Sequence, residues 1–373
     1  MEVFFVGLSA ITFKQIIMVI VGGVLIYLAI KKDYEPALLL PIGFGAILVN
    51  IPFTSVLTQV TDGVTQHGAL SILYEAGILT ELFPLLIFIA IGAMIDFTPL
   101  LQNPRLLLFG AAAQFGIFFT MTVASLFGFS LKEAASIGVI GTADGPTSIY
   151  VASRFAKNLL GPISVAAYSY MSLVPIIQPP VIRLLTTKKE RRIRMDYHEK
   201  KIPKLVKILF PIIVTLIAGL IAPVSLALIG FLMFGNLIRE CGVLERLSNA
   251  AQKELANIVT LLLGITIGST MTAEKFLRVD TLLILGMGLV AFIFDTAGGV
   301  LFAKFLNLFL KHKINPMVGA AGISAFPMSA RVVQKMGQQE DPSNFLLMHA
   351  ASANFAGQIG SVIAGGLILA LVK

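Results

Sequence analysis

The sequence predicts an all-α polytopic membrane protein made of two inverted repeats, each with a broken or re-entrant helix. Of its 373 residues, 57% are hydrophobic and only 13% are charged, whereas a soluble globular protein has about 25% charged residues. Two stretches, the first motif (Gly141–Ser148) and the second motif (Gly322–Ser329), share the frame Gly-x-x-x-x-Pro-x-Ser. Gly and Pro break helices, so the freed backbone groups need partners inside the protein or in a cavity. Such breaks at matching positions of two halves are typical of transporters.

Apolar stretches of about 17 to 25 residues are long enough to cross a bilayer as helices. Two sets of six such segments flank a basic loop at 186–204, which predicts a first membrane repeat at 1–185 and a second at 205–373. The segments are 14–30, 36–53, 79–97, 105–129, 133–155 and 158–185, followed by 205–221, 223–238, 257–273, 281–306, 314–336 and 344–372.

Three landmarks recur in the two halves in the same order. The first is a proline six residues before Ile-Gly-Phe, with Pro36 and Ile42 in the first half and Pro223 and Ile229 in the second. The second is an Ile-Gly pair followed by a glycine, with Ile91-Gly92 and Gly110 in the first half and Ile267-Gly268 and Gly286 in the second. The third is the motif itself. The spacing within each landmark is equal in the two halves. Chance accounts for one such match in apolar sequence more readily than for three in the same order. We therefore predict that the two halves arose by duplication.

The distribution of charge predicts how the halves are oriented. The loops at 31–32 and 186–204 are basic and are expected in the cytoplasm by the positive-inside rule, whereas 53–81 has acidic residues but no Lys or Arg. Five segments separate the two basic loops, and five full crossings would put these loops on opposite sides. We therefore expect the segment with the first motif to enter and leave on one side. Each half then crosses five times, and the halves are inverted.

Composition and motifs exclude several other classes of protein. The single Cys241 cannot form an internal disulfide, and the four histidines are too scattered to be a metal-ligand set. The net charge is +8, but the basic residues flank apolar segments, where they set topology, so we expect no nucleic acid as a partner. No phosphate-binding loop or Gly-x-Ser-x-Gly elbow occurs. A pump built from this chain needs a driving reaction other than ATP hydrolysis.

Asp144 lies between the helix-breaking residues of the first motif. An ionisable residue inside a membrane is costly and is a functional candidate by default. With Thr142, Thr147 and Ser148 it would form an oxygen-rich site, which suits a hard cation such as sodium. The alternative is a structural role, in which Asp144 caps the half-helix that begins at Pro146.

The second motif has Ala325 at the position of Asp144, so the two motifs cannot be chemically equal. Ser324 and Ser329 remain as neutral oxygen ligands. Arg331 follows, and an arginine either binds an anionic substrate bidentately or marks the cytoplasmic end of its segment.

The last segments hold further polar candidates. Asn354 and Ser361 are two helical turns apart and share one face, where they serve either the site or helix packing. Tyr168 and Tyr170 precede Pro175, and each is either an interfacial anchor or a proton donor. Asp295, in an apolar run, is a second buried carboxylate that belongs to the ion path or to a structural pair.

Four longer motifs carry a resemblance that covers nearly the whole chain. They are Gly141-Thr-Ala-Asp-Gly-Pro-Thr-Ser148, Ala167-Tyr-Ser-Tyr-Met-Ser-Leu-Val-Pro-Ile-Ile-Gln-Pro-Pro180, Gly235-Asn-Leu-Ile-Arg-Glu-Cys-Gly-Val243 and Pro342-Ser-Asn-Phe-Leu-Leu-Met-His-Ala350. These motifs resemble the beta subunits of sodium-translocating carboxybiotin decarboxylases. The chain lacks the extra N-terminal length of the oxaloacetate type, so it resembles the CoA-thioester type (methylmalonyl-CoA or glutaconyl-CoA) more closely.

The resemblance implies an elevator-like architecture in the bacterial plasma membrane and a division of labour between subunits. A carboxyltransferase alpha subunit loads biotin on a separate carrier subunit, and the beta subunit releases carbon dioxide and exports sodium. A small membrane-anchor subunit and a homo-oligomer of beta subunits are also implied. The resemblance implies that the catalytic residues are Asp144, Tyr170 (rather than Tyr168) and Arg331, with Arg331 also binding carboxybiotin. The sodium ligands that it implies are Asp144, Asn315, Gly319, Ser324, Asn354 and Ser361. No Met-Lys-Met biotin-attachment motif occurs, so carboxybiotin must come from the carrier.

Two alternatives to this hypothesis are a sodium-coupled secondary carboxylate transporter, which follows the same fold logic, and a structural membrane scaffold. The paired polar breaks disfavour the scaffold. The acyl substrate of the complex does not touch this chain in the implied scheme, so the sequence does not select it.

Overall fold

The computed structural model describes residues 6–33, 35–61, 64–195 and 201–372, and these residues are nearly all helical. The helices of the first half are α1 (Val6–Ala10), α2 (Phe13–Lys32), α3 (Pro36–Val49), α4 (Ala69–Leu73), α5 (Leu82–Met94), α6 (Thr98–Gln102), α7 (Leu107–Ala113), α8 (Phe115–Leu126), α9 (Leu131–Gly138), α10 (Gly145–Phe155) and α11 (Leu160–Leu185). A small antiparallel hairpin, β1 (Gln59–Thr61) and β2 (Val64–Gln66), lies between α3 and α4.

The second half begins after the linker helix α12 (Lys188–Arg191). Its helices are α13 (Lys204–Ile221), α14 (Leu226–Glu240), α15 (Glu245–Ala250), α16 (Ala256–Gly268), α17 (Ala273–Phe276), α18 (Val279–Phe309), α19 (Met317–Ala320), α20 (Met328–Glu340) and α21 (Leu347–Leu371). Two π-helices, Tyr74–Leu79 and Ala251–Leu255, precede α5 and α16. Short 3₁₀-helices occupy Pro104–Leu106, Val139–Thr142, Lys157–Leu159 and Pro223–Ser225.

The helices confirm the predicted multi-pass class. In the described part of the chain, seven are long and apolar enough to cross a membrane, and two bent pairs raise the number to nine. The seven are Phe13–Lys32, Pro104–Leu126, Lys204–Ile221, Pro223–Glu240, Glu245–Gly268, Val279–Phe309 and Leu347–Leu371. The bent pairs are Ala69–Leu79 with Leu82–Met94, at 61°, and Lys157–Met171 with Leu173–Leu185, at 66°.

Some segments differ from their sequence-based bounds, and others are broken as expected. The helix expected at 79–97 begins at Ala69 and breaks before Glu81, whose φ is 65°. The segments expected at 133–155 and 314–336 are interrupted at the two motifs, as predicted from their Gly and Pro residues. The helix at 158–185 bends next to Met171, because Pro175 has no N–H to donate to the carbonyl of that residue.

The two halves pack on each other reciprocally. Helix α3 packs on α16, and α5 packs on α14. Asn50 Nδ2 donates to the carbonyl of Met271 at 2.8 Å, and Asn236 Nδ2 donates to that of Ile95 at 2.9 Å. Each acceptor lies three residues after the Ile-Gly landmark of its half. This reciprocity is what an approximate two-fold relation produces and supports the duplication. The inverted orientation stays a prediction.

The α3–α16 contact depends on glycine. A Cβ on Gly268 would lie 2.3 Å from the carbonyl oxygen of Ile42, and one on Gly45 would lie 2.5 Å from that of Ile265. Small residues at such positions let membrane helices approach closely.

Polar contacts between loops fall into two groups at opposite ends of the 31-residue α18. Near its start, one cavity is lined by residues of 57–75, 157–162 and 269–281. Arg154, just before the second of these segments, forms an ion pair with Glu81, just after the first. Near its end, Lys304 pairs with Glu190. On the predicted topology, the segment 53–81, Arg154 and Lys157 are external. Lys304 and the loop 186–204 are cytoplasmic, so the two groups lie on opposite predicted sides. The grouping supports these assignments, which remain predictions.

The basic linker is docked against the second half rather than free between the halves. Arg191 is buried and donates to Glu340 at 2.7 Å and to the carbonyl of Thr186 at 2.6 Å. The hydrogen bond from Arg191 is the main reason why the pKa of Glu340 lies below its usual value. In return, the carbonyl of Arg191 accepts from Asn315 at 2.8 Å and from Asn344 at 3.2 Å. Linker residues 196–200 lie outside the described residues.

We expect Gly268→Ala to lower the free energy of unfolding by about 1–3 kcal/mol, because the new methyl group overpacks the α3–α16 contact. Gly23→Ala on α2 is the matched control, since a Cβ there meets no atom within 4 Å. Thermal unfolding of both variants in detergent measures the difference. Equal melting temperatures would show that the helices separate freely at this point.

Candidate functional site

The two motifs meet inside the protein. The backbone N–H of Ser324 donates to the carbonyl of Thr142 at 3.0 Å. In each motif the last serine also donates back to the carbonyl nine residues earlier: Ser148 to Val139 at 3.4 Å and Ser329 to Ala320 at 3.2 Å. The breaks therefore have equivalent internal hydrogen bonds and form one junction between the halves.

The first motif breaks the chain through three local features. Ala143 has a left-handed conformation with φ 52°, and Asp144 follows in an extended one. Pro146 lies in the first turn of α10, where its missing N–H costs nothing. Asp144 is the N-cap of α10, and its Oδ1 accepts from the N–H of Thr147 at 3.2 Å. The structural alternative for Asp144 is therefore realised, and the cap also fixes where its carboxylate points.

The second carboxylate oxygen of Asp144 accepts three hydrogen bonds from neutral side chains. Thr147 Oγ1 donates at 2.7 Å, Ser361 Oγ at 2.8 Å and Gln358 Nε2 at 3.1 Å. Asp144 is 3% exposed. The N-terminus of α10 adds a favourable dipole, but none of these described partners carries a positive charge. A buried carboxylate held by hydroxyl and amide groups is chemically suited to a monovalent cation.

Asn354 holds the backbone of the second motif. Its Nδ2 donates to the carbonyls of Ile323 at 2.7 Å and Ala321 at 3.3 Å. Its Oδ1 is buried and has no hydrogen-bond partner among the described residues. Ser324, one residue after Ile323, donates its hydroxyl to the carbonyl of Gly357 at 2.9 Å. Because unpaired buried oxygens are costly, Asn354 Oδ1 is the clearest free ligand atom in the junction.

Two of the predicted sodium ligands have other neighbours. The amide of Asn315 donates to the carbonyls of Arg191 and Ile193, both at 2.8 Å, and its Oδ1 accepts from the N–H of Met317 at 3.1 Å. Gly319 packs on Gly299, where a Cβ would lie 2.0 Å from the partner's carbonyl oxygen. These contacts give both residues a packing role and do not bring them to Asp144.

The two tyrosines of α11 occupy different surroundings. The hydroxyl of Tyr170 donates to the carbonyl of Leu285, and its ring lies against Gly288 on α18. The ring of Tyr168 packs on Gly145, where a Cβ would lie 2.2 Å from a ring atom. Tyr168 is thus the tyrosine next to the first motif, whereas the family resemblance selected Tyr170.

Two glutamines of this junction were not predicted as site residues. Gln178, on α11, donates to the carbonyl of Ala320 and to Ser329, both at 2.8 Å, and Gln358, on α21, donates to Asp144. The last helix of each half therefore contributes a glutamine to the motif of the other half. The only signal in the sequence was an amide side chain within an apolar segment.

Asp295 lies behind the first motif. It is fully buried, and no side chain of the described residues donates to its carboxylate. A Cβ on Gly141 would lie 2.4 Å from Asp295 Oδ2, and one on Gly116 would lie 2.4 Å from Oδ1. Asp295 therefore contacts the first glycine of the motif and the first turn of α8, so α18 supports the break from behind.

A cleft beside the second motif contains Arg331. Its volume is about 260 Å³, and its walls include Asn354, Phe326, Phe355 and Met348. Arg331 is exposed, and its guanidinium forms no ion pair with a described residue. Asp96 also lines the cleft, and its carboxylate lies 3.8 Å from the guanidinium of Arg239, which balances its charge. Mainly apolar and aromatic walls with the unpaired guanidinium of Arg331 and an unpaired amide oxygen suit a small anionic ring compound.

These features define a multi-pass membrane protein with a polar site where two broken helices meet. Residues 14–372 match the family model described as "Na+-transporting oxaloacetate decarboxylase beta subunit". The chain belongs to this family, which confirms the resemblance noted from its motifs.

The curated relatives match almost end to end. The methylmalonyl-CoA decarboxylase subunit beta of Propionigenium modestum is 51% identical, over 98% of this chain and 96% of the relative. The glutaconyl-CoA decarboxylase subunit beta of Acidaminococcus fermentans is 52% identical, over 98% and 95%. The oxaloacetate decarboxylase beta chain of Klebsiella pneumoniae is 45% identical, over 98% and 97%. The relatives named for CoA thioesters are therefore more similar than this oxaloacetate relative, as expected.

We expect Ser361→Ala to weaken sodium binding about tenfold, because it removes a hydroxyl that contacts Asp144 Oδ2. Ser352→Ala is the matched control, since Ser352 is buried on the same helix and donates only to the carbonyl of Met348, at 2.8 Å. Bound sodium raises the melting temperature by mass action, so a titration of thermal stability in detergent reports affinity. An unchanged midpoint in Ser361→Ala would remove Ser361 from the ligand set.

Proposed function

We propose that this chain decarboxylates carboxybiotin and couples the reaction to sodium export, as the membrane subunit of a biotin-dependent acyl-CoA decarboxylase. The observation that carries the proposal is the junction of the two motifs, which has a buried anionic site on one side and a cleft with a free arginine on the other. Asn354 lies between the two, since it lines the cleft and holds the second motif, which is bonded to the first through Ser324.

Sodium is the cargo that best suits the first side of the junction. Asp144 supplies the charge, and Thr147 and Ser361 supply neutral oxygens that contact it. Asn354, whose Oδ1 is buried and without a partner among the described residues, is proposed as a further ligand from the second motif. A monovalent cation would neutralise the carboxylate, which removes the cost of a bare charge at membrane depth. The hydrogen bonds from Thr147, Gln358 and Ser361 fix the position of the carboxylate.

The cleft beside the second motif is the proposed position of carboxybiotin. Arg331 would bind the carboxylate, and the rings of Phe326 and Phe355 would pack against the apolar faces of biotin. In the reaction the bond between the ureido nitrogen and the carboxyl carbon breaks. Carbon dioxide leaves, the electron pair stays on nitrogen, and a proton must be delivered to it.

Tyr170 is the proposed proton relay. Its hydroxyl donates to the carbonyl of Leu285, so the phenol is fixed in orientation, and the residue is 9% exposed. This assignment comes from the family resemblance, and it requires a path from α11 to the cleft.

The similarity to relatives named for CoA thioesters supports an acyl-CoA substrate for the complex, with methylmalonyl-CoA favoured and glutaconyl-CoA second. The chain would then act with a carboxyltransferase alpha subunit, a biotin carrier subunit and a small membrane-anchor subunit, and as a homo-oligomer. It would lie in the bacterial plasma membrane with the loop 186–204 in the cytoplasm and move by an elevator-like mechanism.

We expect Asp144→Asn to abolish sodium-dependent carbon dioxide release, because the amide keeps the size of the side chain but loses the charge that sodium binds. Transfer of the carboxyl group to biotin should persist in the same complex, since that step belongs to the carboxyltransferase. Radiolabelled substrate separates the two steps. Full sodium-stimulated release in Asp144→Asn would overturn the assignment of the cation site.

We expect Tyr170→Phe to lower turnover at every pH without rescue by added sodium, because the ring still packs on Gly288 but no hydroxyl remains to pass a proton. Tyr168→Phe is the control, since it retains the ring that packs on Gly145. Rate against pH in the purified complex distinguishes them. If only Tyr168→Phe is impaired, the relay belongs to the tyrosine beside Asp144. If both are unaffected, the proton comes from water.

A further inference from the structure

The connection between α20 and α21 presents apolar side chains on the predicted cytoplasmic face. Along residues 343–347, buried and exposed positions alternate: Asn344 and Leu346 are fully buried, whereas Phe345 is 67% exposed and Leu347 is 44% exposed. Leu346 packs on Gly337 of α20. The burial of its two neighbours therefore fixes Phe345 in an outward position.

This connection is held by side-chain to backbone hydrogen bonds at both ends. Asn344 Nδ2 donates to the carbonyls of Arg191 at 3.2 Å and Ile193 at 3.3 Å, in the linker. Gln334 Oε1 accepts from the backbone N–H groups of Leu346 and Leu347, both at 2.7 Å. A rigid loop that keeps a large aromatic side chain in solvent has the character of a binding hot spot, because little entropy is lost on contact.

The loop borders the cleft that contains Arg331. Leu347 and Met348, which directly follow Phe345 and Leu346, line that cleft, and Met348 is 37% exposed. Phe345, Leu347 and Met348, here called the apolar rim, are thus exposed side chains that border the cleft of Arg331, two of them as part of its lining.

The surroundings of the apolar rim are basic. The acidic groups nearby each have a basic partner, since Glu340 pairs with Arg191, Asp341 with Arg194, and Asp96 of the cleft with Arg239. The hydrogen bond from Arg194 is the main reason why the pKa of Asp341 lies below its usual value. Arg192 and Lys335 are exposed and form no ion pair with a described residue. The charge left over at this surface is therefore positive.

We propose that the apolar rim, with Arg192 and Lys335, is the docking surface for a small acidic domain that carries biotin on a lysine side chain. The inference rests on the proposed function, in which the substrate of the cleft is attached to another protein. Such a partner must place its biotin arm in the cleft, so its body must contact the surface that borders the cleft. Protein interfaces commonly have an apolar centre surrounded by polar and charged residues. The positive charge here selects an acidic partner and speeds its approach.

The direct test is a photo-reactive phenylalanine at position 345 in the intact complex. After irradiation, an avidin blot should show a biotin-containing adduct of this chain. Val243 is the matched control position, because it is 82% exposed in the connection between α14 and α15, on the same predicted side. Absence of the adduct at 345, or equal adducts at both positions, would overturn the proposal.

A kinetic test separates this surface from the reaction itself. We expect Phe345→Ala to lower turnover of the complex by about tenfold, and Lys335→Glu to lower it in a way that shrinks as salt is added to screen the charge. Val243→Ala and Lys311→Glu should leave turnover unchanged. If the unmodified complex shows no sodium-dependent carbon dioxide release, the proposed function fails. If it does and Phe345→Ala is fully active, the rim contacts lipid or solvent, and only the docking proposal fails.

Discussion

A buried carboxylate with neutral partners sets the main constraint on this molecule. Asp144 is 3% exposed, and its hydrogen bonds come from Thr147 in its own half and from Gln358 and Ser361 in the other half. The cost of burying that group is offset only while α21 lies against the first motif. Folding of the two halves onto each other is therefore required to satisfy a charge that neither half satisfies alone.

Glycine makes this arrangement possible. The first motif approaches α18 so closely that a Cβ on Gly141 would lie 2.4 Å from Asp295 Oδ2, and the second motif meets α21 where one on Gly357 would lie 2.2 Å from the carbonyl oxygen of Gly322. Backbones at this distance hold the freed peptide groups away from lipid. The broken helices are thus supported by direct contact between main chains as well as by side chains such as Asn354.

The sequence predicted the breaks because their causes are local. Gly141, Pro146 and the N-cap Asp144 lie within one short stretch, and their effects on the backbone follow from residue type alone. The partners of Asp144 were harder to predict, since Gln358 is 214 residues away and its amide has no motif of its own. Helix starts were missed for a different reason. The π-helix Tyr74–Leu79 places the charged Glu75 inside the helix that begins at Ala69. The uninterrupted apolar stretch from which the helix was predicted therefore begins after the helix itself does.

The two motifs differ in their side chains, so the two halves are not chemically equal. The first motif has the carboxylate of Asp144, whereas the second has Ala325 at that position and holds its backbone through Asn354 and Gln178. One half therefore has the only carboxylate among the two motifs, and the other half borders the cleft with the free arginine. Ser324 joins them, since its N–H donates to Thr142 and its hydroxyl to Gly357. A ligand of the cleft that displaced Ser324 would also displace Thr142, which lies two residues before Asp144. A second carboxylate in the second motif would place two like charges across this contact, so the loss of symmetry is what would let the proposed anion-binding cleft and the proposed cation site share one junction.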